Sequence, residues 1–187
     1  MTWDDSTYIK VLLRIFTIET EKFMHTLIAL TTTLAAFVNL STAEPDITAP
    51  EYFQYGSTVT DMQTVLASVC EELVVRELAL EELPFAQSSH TQIDCHGMEF
   101  AGRNRHAEFV FADDALAFVW VLTESDEEGR LLNAMTSEYG TPSHATTMFT
   151  AFTDHNTALR HDTPEFLFYS PLISAMYRNW FDQMASE

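Results

Sequence analysis

The chain has 187 residues, 47% of them apolar, so it can bury a substantial core and its bulk is not disordered. Its 28 acidic residues against 9 lysines and arginines give a net charge of −19. That balance argues against nucleic acid and anionic lipid as primary partners, because both are held by cations that neutralise phosphate. From Glu44 onward the chain carries 24 acids, six arginines and no lysine, a pattern that fits either a salt-adapted protein or an acidic secreted one.

Met24 to Ala43 contains no Lys, Arg, Asp or Glu. Its apolar centre, Leu27 to Leu40, is short for a membrane span and is interrupted by three threonines. Ser41-Thr42-Ala43 then offers small residues for cleavage before Glu44-Pro45. These features predict a signal peptide over 24–43, with Lys22 as its positive flank. Residues 1–23 place acids where a signal's start is basic and read as an extension ahead of the true start; the alternative is an amphipathic helix with an uncleaved anchor. No cysteine follows the apolar run, so a lipoprotein anchor is not expected. After cleavage the protein is expected in the periplasm or secreted, without a stable membrane anchor. That compartment is oxidising.

Residues 44–57, with two prolines and mixed polarity, read as a linker, and 58–187 as a single α+β domain. The first predicted helix starts at Thr60, with Gln63 completing a capping box. Met62, Val65, Leu66, Val69, Leu73 and Val74 recur at three- and four-residue spacing, so the helix is expected to run toward Leu80 and end before Pro84. The period then changes. Gln92–Cys95 alternates polar and apolar, His96-Gly97 reads as a tight turn, and Met98–Ala101 as the return strand. His106–Ala112 and Ala115–Leu122 form the next hairpin around Asp113-Asp114.

A second helix is predicted from Ser125 to Tyr139. Ser125 and Glu128 would form its capping box, Leu131, Leu132, Met135 and Tyr139 its apolar face, and Gly140 and Pro142 its end. Strands follow at Thr147–Thr153, Thr157–Arg160 and Glu165–Tyr169. Ser170 caps the last helix and Pro171 occupies its first turn. Leu172, Ile173, Met176, Tyr177, Trp180, Phe181 and Met184 make its apolar stripe. The expected order is therefore α-ββββ-α-βββ-α, an antiparallel sheet of meandering strands with helices packed on one face.

Tyr55-Gly56-Ser57-Thr58, the hairpin from Ala107 to Leu122, and Leu131-Leu132 through Tyr139-Gly140-Thr141-Pro142 resemble the small secreted α+β domains of the BamE outer-membrane-assembly component and the β-lactamase inhibitor protein. More broadly, the chain resembles small exported proteobacterial proteins of a family with no assigned activity. The resemblance spans residues 55–142. It implies a domain that binds other proteins and brings no catalytic residues. The lipoprotein cysteine of BamE has no counterpart here.

The segment Ser89-His90-Thr91-Gln92-Ile93-Asp94-Cys95-His96-Gly97 concentrates the reactive side chains. On a strand, Ile93 and Cys95 share one face, and His90, Gln92, Asp94 and His96 share the other. Cys95 and His96 therefore point apart, which opposes a nucleophilic pair. Cys70 flanks a buried stripe that must cover the sheet, so a Cys70–Cys95 disulfide is expected. His90, Asp94 and His96 are candidate ligands for Zn²⁺ or Cu²⁺. His90 and His96 lie about 20 Å apart on an extended strand, however, and a solvated polar face is the competing reading.

No Gly-x-Ser-x-Gly or phosphate-cradling glycine loop occurs, and Glu124–Arg130 lacks the ligand spacing of a calcium loop. No catalytic residue and no cofactor is assigned. Arg160, Arg103 and Arg105 are expected to pair with carboxylates. Two readings of function remain: a non-enzymatic domain that binds another protein or a small ligand, or a metal-binding protein or small hydrolase using His and Asp.

Overall fold

The computed structural model describes residues 44–186, so the expected extension (1–23) and signal peptide (24–43) lie outside the described residues. Helix α1 is Val59–Leu66. Strands β1 (Glu72–Glu77), β2 (His90–Phe100), β3 (Arg103–Ala112) and β4 (Ala115–Leu122) follow, then α2 (Glu128–Tyr139). The second half holds β5 (His144–Ala145), β6 (Phe149–Phe152), β7 (Thr157–Arg160) and β8 (Glu165–Tyr169), and α3 (Ser174–Met184) closes the chain. All eight strands join one antiparallel sheet in the order β1-β2-β3-β4-β8-β7-β6-β5. Two meanders thus run outward from a central β4–β8 pair, and the fold is α+β as expected.

The strand count and three local assignments differ from the expected order. The first helix ends at Leu66, not near Leu80, and its cap is Thr58, whose Oγ1 accepts from the Asp61 amide at 3.2 Å. Residues 72–77 are a strand instead. Val74 and Val75 are β-branched, and every residue from Glu72 to Glu77 has a register partner on β2. Val69 and Leu73 still reach the core, which is why their spacing imitated a helix face.

His96-Gly97 is a bulge within one long strand, not a turn between two. Gly97 has φ +80°, and an added Cβ there would lie 2.5 Å from Glu71 Cγ. The bulge shifts the side-chain alternation, so Met98 and Phe100 rejoin Ile93 and Cys95 on the core face. The second meander has one strand more than expected, the two-residue β5. The capping box sits ahead of α2: Glu124 and Glu127 form a reciprocal box around the 3₁₀ turn Ser125–Glu127, and α2 itself has no side-chain cap.

The expectation that helices share one face is also corrected. One core packs α1 (Met62, Leu66) and α2 (Leu131, Met135) against Ile93, Phe109, Val119, Phe166 and Phe168. A second core, on the opposite face, packs Phe181 and Tyr177 of α3 against Val110, Phe118, Phe149, Leu167 and Tyr169. The cause is visible in β6 and β8, where every residue is buried: such strands need cover on both sides. The segment read as a linker also contributes to the first core. Ile47 and Phe53 are buried, Phe53 meets Phe109 and Phe168 edge-on, and Tyr139 donates to the Ile47 carbonyl.

Cys70 and Cys95 form a disulfide with a Cα–Cα distance of 5.4 Å, tying the α1–β1 connection to β2. Among the described residues no helix is long and apolar enough to cross a membrane.

Candidate functional site

Arginine is scarce, and its placement shows where charge is structural. Glu127, at the start of α2, has a side chain only 2% exposed. Arg105 of β3, equally buried, holds both of its oxygens, Arg130 donates at 2.8 Å, and Arg103 lies at 3.3 Å. The Glu124 amide also donates to it at 3.1 Å. Desolvation works to raise the Glu127 pKa, but the Arg105 hydrogen bond, the Glu124 amide and Arg130 outweigh it and lower the group to about 2. This network staples β3 to α2. Arg160 is likewise taken, by Asp162 at 2.7 Å and Glu165 at 2.9 Å. The expectation that Arg103, Arg105 and Arg160 have carboxylate partners therefore holds.

Asp113 and Asp114 occupy the β3–β4 turn with φ of 54° and 63°, the left-handed pair that a two-residue hairpin requires. Asp113 also accepts from the amides of Gln87, Ser88 and Ser89 and from the Ser88 hydroxyl, which lower its pKa to about 2, the Ser88 hydroxyl most. Both aspartates are structural.

The polar face of β1–β3 is the first candidate site. Alternation places Asp94 and His96 opposite the Cys95 side, as the sequence predicts. Register then sets Asp94 directly across from Glu108, and His96 across from His106. The two imidazoles stack, with centroids 4.3 Å apart and planes 27° apart. Arg76 of β1 grips Asp94 at 2.7 and 2.8 Å, and Gln92 donates to it at 2.7 Å. Desolvation opposes ionisation of Asp94, but the Gln92 and Arg76 hydrogen bonds hold it below the usual carboxylate range. One oxygen or nitrogen from each of Asp94, His106 and Glu108 comes within 4.8 Å of the others.

His90, the third expected ligand, is not part of this group. It lies four residues from Asp94, about 13 Å along a strand, and its Nδ1 is 3.0 Å from the Ala79 carbonyl. His106 and Glu108 were legible as the polar half of the alternating stretch His106–Phe111. What the sequence lacked was the β2–β3 register that puts them beside Asp94.

The second candidate is a cleft of about 350 Å³ between α3 and the sheet, lined by Trp120, Met148, Phe149, Met176, Tyr177 and Trp180, with Arg160 and Asp162 at its rim. Its apolar surface continues outward. Leu172, in the 3₁₀ turn that Ser170 caps, is 89% exposed, Met176 40% and Trp180 39%. A larger and more polar hollow, of about 790 Å³, lies between the 46–52 segment and the β2–β3 turn, with Asp46, Glu51, Glu71 and Glu99 in its lining.

Ser143, His144 and Asp182 form a chain resembling a hydrolase triad, with His144 3.0 Å from the serine hydroxyl and 2.8 Å from the aspartate. Ser143 Oγ, however, donates to the Ala151 carbonyl at 2.9 Å and accepts from the Thr153 amide at 3.2 Å. It braces a turn, and none of the three residues lines either hollow. A nucleophile needs its proton facing the base.

No protein-family model matches the chain, and comparisons with curated proteins and with solved structures returned no match.

Proposed function

We propose that this is a non-enzymatic periplasmic or secreted domain that binds a partner protein on the surface formed by α3 and the adjoining sheet. The observation that carries this reading is the uncovered half of the α3 stripe. Met176 and Trp180 of α3, with Leu172 in the 3₁₀ turn before it, stay exposed while Phe181 of α3 is buried. Met176 and Trp180 line the aromatic cleft, so exposed apolar side chains stand at its mouth. Contiguous exposed apolar surface of this kind marks interaction sites, and tryptophan is prominent among residues that dominate binding energy. The disulfide and the signal-like stretch 24–43 support export. The resemblance to BamE and the β-lactamase inhibitor protein supports protein binding.

Affinity capture from the native periplasm, with wild type and Leu172→Ser/Trp180→Ala protein as bait, tests it. Partners are identified by mass spectrometry and each is then titrated in purified form. A partner lost by the double variant, with binding weakened at least 30-fold, agrees with loss of a residue worth 2 kcal/mol or more. Equal affinity of both baits for every partner recovered sinks the proposal.

A metal-binding role is favoured by a separate observation, the Asp94, His106 and Glu108 group. For a hydrolase, the hydrogen bonding of Ser143 supplies no activated nucleophile.

A further inference from the structure

We propose that Asp94, His106 and Glu108 form a binding site for a first-row divalent transition metal ion, of which Zn²⁺ is the natural probe. The ligand set is one imidazole and two carboxylates, donors that suit zinc and its neighbours. Their ligand atoms already lie within 4.8 Å of one another. Around an ion with bonds of about 2.1 Å, tetrahedral ligands sit about 3.4 Å apart, so closure takes side-chain shifts of about 1 Å.

Three further observations point to a cation. His106 Nε2 is buried and has no hydrogen-bond partner, and the nearest carboxylate oxygen, on Asp94, is 3.6 Å away. A buried ring nitrogen without a partner is uncommon, and a metal ion would satisfy it. Asp94 and Glu108 are directly opposed across an antiparallel pair, a placement that repels when both carry charge. Among the described residues Glu108 has no ion-pair partner at contact distance; its charge acts on Arg76, and on buried Glu165, whose carboxyl is raised first by desolvation.

Arg76 engages both Asp94 oxygens, lies near enough for the Glu108 charge to act on it, and would share Asp94 with the metal ion. It reaches Asp94 from β1, on the far side of β2, while His106 and Glu108 approach from β3. Arg76 and Gln92 can therefore remain as hydrogen-bond donors that orient a metal-bound carboxylate. His96, stacked on His106, fixes the plane of that ring. Three protein ligands leave positions for water or for a group from a partner. Trp120, which faces Glu108 across β3–β4, separates the site from the cleft beside α3. The metal proposal does not depend on that cleft binding anything.

The test is calorimetric titration of the full chain, stripped with chelator, using Zn²⁺, Mg²⁺ and Ca²⁺ at neutral pH. One Zn²⁺ should bind with low-micromolar affinity. His106→Gln and Glu108→Gln should each weaken binding at least tenfold, and His90→Gln should leave it unchanged. Both weakening substitutions are on partly exposed side chains, and circular dichroism confirms folding before titration. As a second readout, Zn²⁺ should shift the ring ¹⁵N resonances of His106 and leave those of His144 in place. No Zn²⁺ uptake at millimolar concentration overturns the proposal. So does Zn²⁺ binding that the His106 and Glu108 variants do not weaken, or binding of Mg²⁺ or Ca²⁺ as tight as that of Zn²⁺.

Discussion

Glu127→Gln is expected to destabilise the domain by about 3–5 kcal/mol at neutral pH, the range for breaking a buried ion pair from one side. The amide keeps the shape of the carboxylate but removes its charge and turns a donor toward the guanidiniums. Arg103 and Arg130 are 49% and 42% exposed and can rehydrate, whereas Arg105, at 3%, cannot. Most of the loss therefore falls on one uncompensated buried cation. The pKa displacement points to the same scale: a fall from 4.5 to about 2 corresponds to about 3 kcal/mol as an upper bound. Because the folded pKa is depressed, this stabilisation is complete above about pH 4.5 and is lost as pH falls toward 2. Urea unfolding of both proteins at pH 7 and pH 2.5 measures it. The gap should be wide at pH 7 and largely closed at pH 2.5, and Arg105→Met in the Glu127→Gln background should recover part of it. A gap under about 1 kcal/mol at pH 7, or one that does not narrow in acid, would show that the network does not act as a buried ion pair.

Removing the cross-link with Cys70→Ala/Cys95→Ala should lower stability by roughly 3.5 kcal/mol, from loop-closure entropy over a separation of 25 residues. Unfolding of wild type with and without reductant checks this, and equal midpoints would mean the bond contributes nothing. Neighbouring residues of α3 should behave oppositely. Phe181→Ala, at a site 1% exposed, should cost about 3–5 kcal/mol, and Trp180→Ala, at 39%, about 1 kcal/mol or less. Comparable losses in thermal melts would mean that Trp180 belongs to the core and is not available to a partner.

What the sequence disclosed depended on whether a local pattern had one physical cause or two. The β3–β4 hairpin and the end of α2 at Gly140 were legible because a paired turn and a positive-φ glycine followed by proline leave few alternatives. Residues 69–77 were not. Val69, Leu73 and Val74 fit a helical spacing, while Val74-Val75 favours a strand, and only the pairing with β2 decides between them. Gly97 had the same ambiguity, since positive φ serves a turn or a bulge equally. The continuing ladder, with Met98 opposite Arg105 and Phe100 opposite Arg103, selects the bulge. The face carrying Asp94 and His96 followed from alternation alone, but His106 and Glu108 needed register, which is a property of two strands at once.

The arginine placements bear on how such a surface can recognise anything. All six arginines of residues 44–186 have carboxylate partners: Arg76 on Asp94; Arg103, Arg105 and Arg130 on Glu127; Arg160 on Asp162 and Glu165; Arg178 on Asp154. The remaining charge on this unit is acidic, so its outer surface offers a partner no free cation. Recognition must then draw on something other than attraction of an anion. Two places differ in kind from solvated carboxylate. One is the uncovered α3 stripe, where affinity would come from apolar area removed from water and would survive high salt. The other is the Asp94, His106 and Glu108 group, where opposed carboxylates and an unpartnered ring nitrogen suit a small hard-to-borderline cation. The two adjoin across Trp120 on the same face of the sheet, so the face that α3 leaves incompletely covered is where both proposed activities lie.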